Sequence, residues 1–315
     1  MYLFLILLQW VVVLVAAPLT VGLVRKMKAR YQNRTGASIF LPYWTILSLM
    51  RKEMTITRWS SWVFRVVPFV VLMSAVCLAL LVPSIAYGVL PLAASNIFLV
   101  GAIAALGAVF LVLGGMDTAS TFGNMGSSRE MTLAALVEPA FYLVLSTLGL
   151  VASVWSLDGI VGYFATTGWG AVVPVSSITL FALLAVILAE NARYPVDNPA
   201  THLELTMVHE AMILEYSGPY LAMLEYASAI KLTVMLGLFI NLVLPFGFVT
   251  PMMSLSTIPL AIVIFLGKLV LGAWVIATLE STIVKMRFYR MQEYMSVAGI
   301  GALVGFILVL MNHSL

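Results

Sequence analysis

Residues 190–218 read ENARYPVDNPATHLELTMVHEAMILEYSG. The stretch holds five of the 13 acidic residues and two of the 3 histidines, and apolar runs flank it on both sides. A continuous apolar run of about twenty residues crosses a hydrocarbon core of about 30 Å only as a helix. Residues 190–218 are therefore a polar loop between two spans. Worked outward, the same contrast of polar loop and apolar run repeats along the chain. The fold it predicts is all-α, a polytopic membrane helix bundle.

Composition agrees. The 315 residues are 63% hydrophobic and 9% charged, where a soluble domain carries about 25% charged residues. There is too little charge here to cover a water-facing surface, so the solvent is lipid. Alternation in segments of about ten, the mark of a strand barrel, is missing. No basic tract is interleaved with aromatics, which excludes nucleic acid as a partner. The lone Cys77 lies in an apolar run. It excludes intrachain disulfides and any Cys-ligated cluster or zinc site held by this chain alone. Met1 opens directly into an apolar run without a basic leader, so residues 1–24 read as a retained span.

Eight spans are expected: Met1–Val24, Trp62–Tyr87, Ile97–Gly114, Glu130–Trp155, Val172–Glu190, Pro219–Leu244, Thr257–Ser281 and Tyr294–Met311. They form one integral membrane domain over residues 1–315. Arg25, Lys26, Lys28, Arg30, Arg34, Arg51, Lys52, Arg58 and Arg65 fall in or at the edge of the first loop. Arg129 ends the third, Arg193 lies in the fifth, and Lys285, Arg287 and Arg290 lie in the seventh. The even loops have no Lys or Arg. By the positive-inside rule the odd loops face the cytoplasm and both termini face out. The two large cytoplasmic loops are then the first, 25–61, and the fifth, 190–218. In the first, Ile39–Met50 reads as an amphipathic helix at the interface, anchored by Tyr43 and Trp44. Gly114–Gly115 and Gly123–Gly126 read as a flexible loop between spans.

Several ionisable residues fall inside these spans, where a charge costs at least about 2.5 kcal/mol and marks function by default. At about 1.5 Å per residue, Glu138 lies roughly 12 Å into its span, Glu225 roughly 9 Å and Lys231 roughly 18 Å, with Lys268 similarly deep. Glu190 and Glu280 stand at cytoplasmic span ends. Acids in the cytoplasmic half and lysines at mid-depth suit proton or ion movement, because burial and like-charge clustering bring such groups toward exchange near neutral pH. Bland readings exist for each. Ser127 to Glu130 forms a capping box that would only start a helix. Pro139 kinks its helix and so disturbs the site of Glu138. Glu225 can bond Ser228 along its helix. Lys231 and Lys268 can be structural partners of an acid, and Glu190 and Glu280 can be solvated at the interface. The set as a whole favours function.

Within 190–218, Asn198 and Pro199 are a good helix start, with Asn as N-cap and Pro first. The predicted helix runs from Pro199 to about Leu214. His209-Glu210 invites comparison with the H-E-x-x-H zinc motif, but Ile213 stands where the second His belongs. His202 and His209 are two turns, roughly 10 Å, apart, too far for one metal at bonds of about 2 Å. No metal site is expected, and no catalytic triad or phosphate loop is present.

Four motifs together carry a resemblance: Gln32-Asn33-Arg34-x-Gly36, Ser128-Arg129-Glu130, Glu190 through Pro195-x-Asp197, and Glu215-Tyr216-Ser217-Gly218. They resemble, in order and over nearly the whole chain, the membrane subunit of respiratory complex I that joins the peripheral arm to the membrane arm. Gly115-Met116-Asp117-Thr118, Gly126 through Glu130, Glu138-Pro139, Glu190-Asn191-Ala192-Arg193 and Thr201 through Met207 look closer to the corresponding subunit of group 4 membrane-bound nickel–iron hydrogenases, formate hydrogenlyase among them. Val196, Ala200-Thr201-His202 and Ala37 depart from the complex I pattern. These departures weigh against a quinone site.

The resemblance implies a subunit without a redox centre or cofactor of its own. Its cytoplasmic loops would form a chamber below the last iron–sulfur cluster of a docked arm. That arm would carry iron–sulfur subunits and a hydrogenase large subunit with its nickel–iron centre. Antiporter-like subunits and lipid would be its membrane neighbours, in the cytoplasmic (inner) membrane. Glu130, Glu138, Glu190, Glu204, Glu210, Glu215 and Glu225 become candidates for a proton path, to which the depth pattern adds Lys231, Lys268 and Glu280. Arg25, Lys26, Arg30, Asn33, Arg34, Arg193 and Asp197 become candidates for arm docking or a quinone-like chamber. The competing classes are the junction subunit of a quinone-reducing complex, an autonomous secondary transporter and an inert anchor. A transporter would show inverted repeats and broken midplane helices, and none is visible.

Overall fold

The computed structural model describes residues 1–91, 93–167, 173–197, 207–251, 255–283, 286 and 288–313. The described residues form helices and loops only, with two isolated β-bridges and no strand. Among the described residues, seven helices are long and apolar enough to cross a membrane. They are α1 (Tyr2–Tyr31), α3 (Trp62–Leu81), α4 (Ile97–Asp117), α5 (Thr121–Ala152), α9 (Gly218–Val243), α10 (Ile258–Thr282) and α11 (Phe288–His313). The fifth expected span, Val172–Glu190, corresponds to α7 (Val173–Glu190), which is not among these seven and packs against α5, α9 and α11. Shorter helices are α2 (Leu41–Met50), α6 (Leu157–Thr167) and α8 (His209–Ile213).

The centre of the bundle is α9. Of its apolar window 72% is buried inside protein, against 44% or less for the other six. It packs against α1, α2, α3, α7 and α10. A helix enclosed this way can carry polar side chains because they meet protein rather than lipid.

The boundaries correct the expectations in four places. The first helix runs on to Tyr31, so Arg25, Lys26, Lys28 and Arg30 are helical rather than in a loop. Lys and Arg are good helix formers, and Lys28 and Arg30 in the last turn suit the negative end of the helix dipole. The fourth span starts at Thr121, not Glu130. Ser120 caps it by accepting from the Gly123 N–H at 3.1 Å. The Ser127–Glu130 capping box is therefore mid-helix, and Gly114–Gly115 and Gly123–Gly126 lie in α4 and α5 rather than in a flexible loop. Gly126 is helical because α8 crosses there: a Cβ would stand 2.8 Å from Ala211 and from the Val208 carbonyl.

The apolar run Trp62–Tyr87 is not one span. Helix α3 ends at Leu81, and most of 82–90 is buried without being helical. Pro83 follows at once and cannot extend the ladder. Tyr87 N–H donates to the Val249 carbonyl and Val249 N–H to the Ile85 carbonyl, which satisfies this buried backbone. In the fifth loop, residues 207 and 208 are not helical. The helix expected over Pro199–Leu214 is thus confined, among the described residues, to α8; positions 198–206, with Glu204 and His202, lie outside them. Where a helix was expected over Ile39–Met50, α2 covers Leu41–Met50, with Trp44 68% exposed.

Candidate functional site

A cavity of about 150 Å³ opens between α1, α2, α3, α4 and α9, closed at the back by α5, α8 and the end of α7. One wall is apolar, built from Val71, Ala75 and Leu78 of α3 and Ala104 and Ala108 of α4. The other is polar. It brings together Glu130 of α5, Glu190 at the end of α7, Arg193 just after it, His209 and Glu210 of α8, Glu225 and Lys231 of α9, and Arg25 of α1. Residues from five separate helices meet here because each helix turns its polar face toward the gap that α9 leaves beside α3 and α4.

Two ion-pair systems frame the chamber. Lys231 Nζ stands 2.6 Å from Glu190 Oε2. Lys231 lies 13 residues along α9 from Gly218, about 20 Å at 1.5 Å per residue. The end of α7 must therefore sink well into the bundle, and Glu190, with a side chain 11% exposed, is not a solvated interfacial acid. Behind the chamber, Glu280 of α10 accepts from two cations: Lys28 Nζ at 3.0 Å on Oε2 and Arg193 Nη1 at 3.1 Å on Oε1. Its side chain is 1% exposed, so it too is not interfacial. This clamp ties the end of α1, the loop after α7, and α10 together.

Asp197 is buried and accepts the backbone N–H of His209 at 3.2 Å, at the start of α8. Arg129, one residue before Glu130, donates to the Met207 carbonyl at 3.0 Å and holds the other side of that turn. The two chamber groups of α8 respond to the enclosure in opposite directions. Burial, then Glu225 and Asp197, push the Glu210 carboxyl up to about 7, with Arg25 opposing. Burial also lowers His209 to about 4; Asp197 opposes this, while Lys231 and Arg193 add to it. His209 is accordingly neutral, and Glu210 exchanges its proton near neutrality.

The first loop closes onto the end of the 190–218 stretch. Thr55 N–H donates to Ser217 Oγ at 3.0 Å. Gly218 follows at φ 56°, with the Glu53 carbonyl where a Cβ would sit, so only glycine starts α9 in this way. Asp117 at the end of α4 caps α3 by accepting from Ser61 and from the Phe64 N–H.

The other expected site residues fall elsewhere. Glu138 is half-buried on α5, two turns beyond Glu130, and does not line the chamber. Ser228 bonds the Glu225 backbone carbonyl and not its carboxylate. Glu215 is half-buried beside Tyr216, which stacks on Phe64 at 4.0 Å. Lys26 is half-buried, and Arg30, Asn33 and Arg34 are exposed at the end of α1, outside the chamber lining. Lys268 is in a different place: it donates to Asn241 Oδ1 at 3.1 Å and to the Phe246 carbonyl at 2.6 Å, under the rings of Phe246 and Phe248. No carboxylate pairs with it among the described residues. The sequence singles out His209 only as a possible metal ligand, and Arg129 as a basic loop residue and part of a cap and a motif. The place of His209 at the chamber wall, and the bond from Arg129 to the Met207 carbonyl behind it, follow from the break at 207–208, which no local pattern announces.

Comparison with known proteins fits this arrangement. A family model described as NADH dehydrogenase matches residues 3–311. Hydrogenase-4 component C of Escherichia coli (strain K12) is 33% identical over 284 residues, 89% of this chain and 87% of that one. Formate hydrogenlyase subunit 4 of the same organism is 29% identical over 282 residues, 89% of this chain and 90% of the relative. An NADH-quinone oxidoreductase subunit of Cupriavidus pinatubonensis is 29% identical over a shorter reach, 64% of this chain and 59% of the relative. Among solved structures, a chain of the membrane-bound sulfane sulfur reductase (MBS), an archaeal respiratory membrane complex, shares the fold with a TM-score of 0.79 at 17% identity, covering 98% of this chain and 99% of that one. With a family match over residues 3–311 and relatives aligned along most of its length, this multi-pass chain belongs to the NADH dehydrogenase family.

Proposed function

We propose that this chain is the membrane-anchor and coupling subunit of a group 4 nickel–iron hydrogenase complex of the formate hydrogenlyase type. Its odd loops face the cytoplasm of the inner membrane and dock a peripheral redox arm, and its chamber links electron transfer in that arm to proton or ion movement. The chain is not itself a catalyst. The iron–sulfur clusters and nickel–iron centre belong to partner subunits, and antiporter-like subunits flank it in the membrane. The relatives support this reading, since the hydrogenase-4 and formate hydrogenlyase subunits align over 89% of the chain.

The observation that carries coupling is the Lys231–Glu190 pair facing Glu130 across one cavity. One ammonium shares its chamber with four acids, and it pairs with Glu190 among them. Negative charge arriving above the chamber draws protons toward it through Glu210, and the Lys231 ammonium moves between its place against Glu190 and one toward Glu130. The pair is a two-position element that an electrostatic change can bias. Arg25, Lys26, Arg30 and Arg34, at the end of α1, are placed to meet a docked arm, with Asn33 in the turn behind them.

A second reading is favoured by one feature. The apolar wall of α3 and α4 facing a polar wall suits an amphipathic ring, as in the junction subunit of a quinone-reducing complex. Purifying the native complex through a tag on this chain separates the two. The expected result is co-purification of a hydrogenase large subunit and iron–sulfur subunits, with hydrogen evolution from a reduced viologen. Quinone reduction without hydrogen evolution selects the second reading. A chain that runs alone and moves a solute in liposomes overturns both.

A further inference from the structure

Arg58 and Arg65 take no part in the chamber or in the Glu280 clamp. The 20 residues of α3 run about 30 Å, the thickness of the hydrocarbon core. Its first turn therefore stands at one face of the membrane, and Arg65 lies about 5 Å in from Trp62. Trp62, Val66, Phe69 and Met73 fall at i, i+4, i+7 and i+11 and are all exposed, so they form one outward stripe down α3. Arg65 is exposed beside that stripe. Around the helix it falls between Phe64 and Phe69, and both of these meet the ring of Tyr220, at 6.5 and 6.0 Å. Arg65 thus stands over the seam between α3 and the start of α9.

Arg58 comes to the same seam. Thr55 bonds Ser217, and Ile56 packs with Tyr220 on the cluster of Phe64 and Tyr216, so the loop crosses from α9 to α3. The turn that follows is closed by the Ser60 N–H on the Thr57 carbonyl at 3.2 Å. It presents Arg58 and Trp59, the latter 82% exposed, just ahead of α3. Neither guanidinium has an ion pair among the described residues. Asp117 is nearby, but both its oxygens are occupied in capping α3, by Ser61 and by the Phe64 N–H. Residues 51–65 carry four basic side chains against one acid, Glu53. A cation at the edge of hydrocarbon is costly without a counter-charge, and here the chain supplies none.

We propose that Arg58 and Arg65, with Trp59 and Trp62 between them, hold the phosphate of an anionic phospholipid whose acyl chain lies along Val66, Phe69 and Met73. The order of the features matches a lipid. Guanidinium groups and indoles stand at headgroup level, and about 10 Å of apolar surface runs inward from Val66 to Met73. Guanidinium donates two parallel hydrogen bonds to a phosphate. The excess of basic residues selects an anionic headgroup, because a zwitterionic one brings a second ammonium to a surface already positive. This site is separate from the coupling role and stands without it.

The test uses the tagged native complex, stripped of lipid in detergent and titrated with phosphatidylglycerol or phosphatidylcholine, with bound lipids counted by native mass spectrometry. The wild type should hold one more phosphatidylglycerol per complex than the Arg58→Gln/Arg65→Gln variant, with equal counts of phosphatidylcholine. At about fivefold for each basic residue beside an anionic lipid, that molecule should bind about thirtyfold more weakly in the double variant. Arg65→Lys, which keeps the charge, should retain most of the preference. Equal counts of phosphatidylglycerol in the wild type and the double variant overturn the proposal. So does release of the bound lipid by soluble glycerol phosphate, which would mark a site for free phosphate. Should the double variant fail to assemble, Arg65→Gln alone decides, with a fivefold loss expected. Independently, a map of the native complex should show elongated density running from Arg65 down α3. A carboxylate of a neighbouring subunit on Arg65 in its place would sink the lipid site.

Discussion

The two lysines buried in this bundle keep opposite company. Lys231 stands 2.6 Å from a carboxylate, in a chamber that gathers four acids and two arginines. Lys268 has an amide, a carbonyl and two rings, and no acid among the described residues. A buried ion pair resists the loss of either partner, because the survivor is left as an uncompensated charge. A buried cation held only by dipoles carries a desolvation cost that an apolar replacement removes. The chamber is thus where charge is held by opposite charge, and the Lys268 cluster is where a charge is held by dipoles and rings.

The contrast can be broken hardest at Glu280. Glu280→Ala strands Lys28 and Arg193 and should cost about 3–5 kcal/mol, read as a lowered thermal midpoint of the detergent-purified complex. An unchanged midpoint would mean the clamp holds nothing. Next, Lys231→Met strands Glu190 and should cost about 3 kcal/mol, with most of it regained when Glu190→Gln is added. Simple additivity in that double-mutant cycle would dissolve the pair. Lys268→Met should move the midpoint by less than about 1 kcal/mol, in either direction, since no partner is left stranded. A loss as large as that at Lys231 would place an unrecognised acid beside Lys268.

A smaller effect is the pH dependence of the chamber wall. Glu210, raised from 4.5 to about 7, binds its proton more tightly in the folded chain. Its contribution to stability is complete below about 4.5 and is lost as pH rises through about 7. His209, lowered from 6.5 to about 4, does the reverse: its contribution is complete above about 6.5 and is lost as pH falls toward 4. Thermal midpoints taken across this range should show two opposed limbs. Glu210→Gln should flatten the limb on the alkaline side and His209→Gln the one on the acid side. The least effect is expected from Ser120→Ala, which removes the α5 cap for about 1 kcal/mol and leaves both lysines as they were.

The spans were legible because hydropathy is a local property, and lipid leaves a long apolar run no other solution. The gathering of acids near the 190–218 stretch was legible for the same reason, since charge in so apolar a chain stands out. What escaped was set by distant partners. Glu190 meets Lys231 across 41 residues, and Lys28 meets Glu280 across 252. Neither pairing has a signature in spacing. The early start of α5 was masked by Gly123 and Gly126, which read as loop residues until the crossing of α8 explains them. The stop of α3 before Pro83 was written in the sequence, but the apolar residues beyond it disguised a buried loop as more helix. Nor did α6 stand out from the long apolar run between the fourth and fifth spans.

The lengths of α1 and α5 have a mechanical consequence. At 30 and 32 residues they run about 45 and 48 Å, well beyond a hydrocarbon core of about 30 Å. Each overshoots by about three turns of continuous helix, and those turns carry Arg25 to Arg30 on one and lead up to Glu130 on the other. Stiff rods, unlike loops, have little conformational freedom left to lose when something binds to them. A load placed on their ends is also passed down the axis as far as Pro18 in α1 and Pro139 in α5, both of which lie beyond Arg25 and Glu130 at the chamber. Contact with these two posts would then reach the chamber as displacement, at a low entropic cost for each attachment.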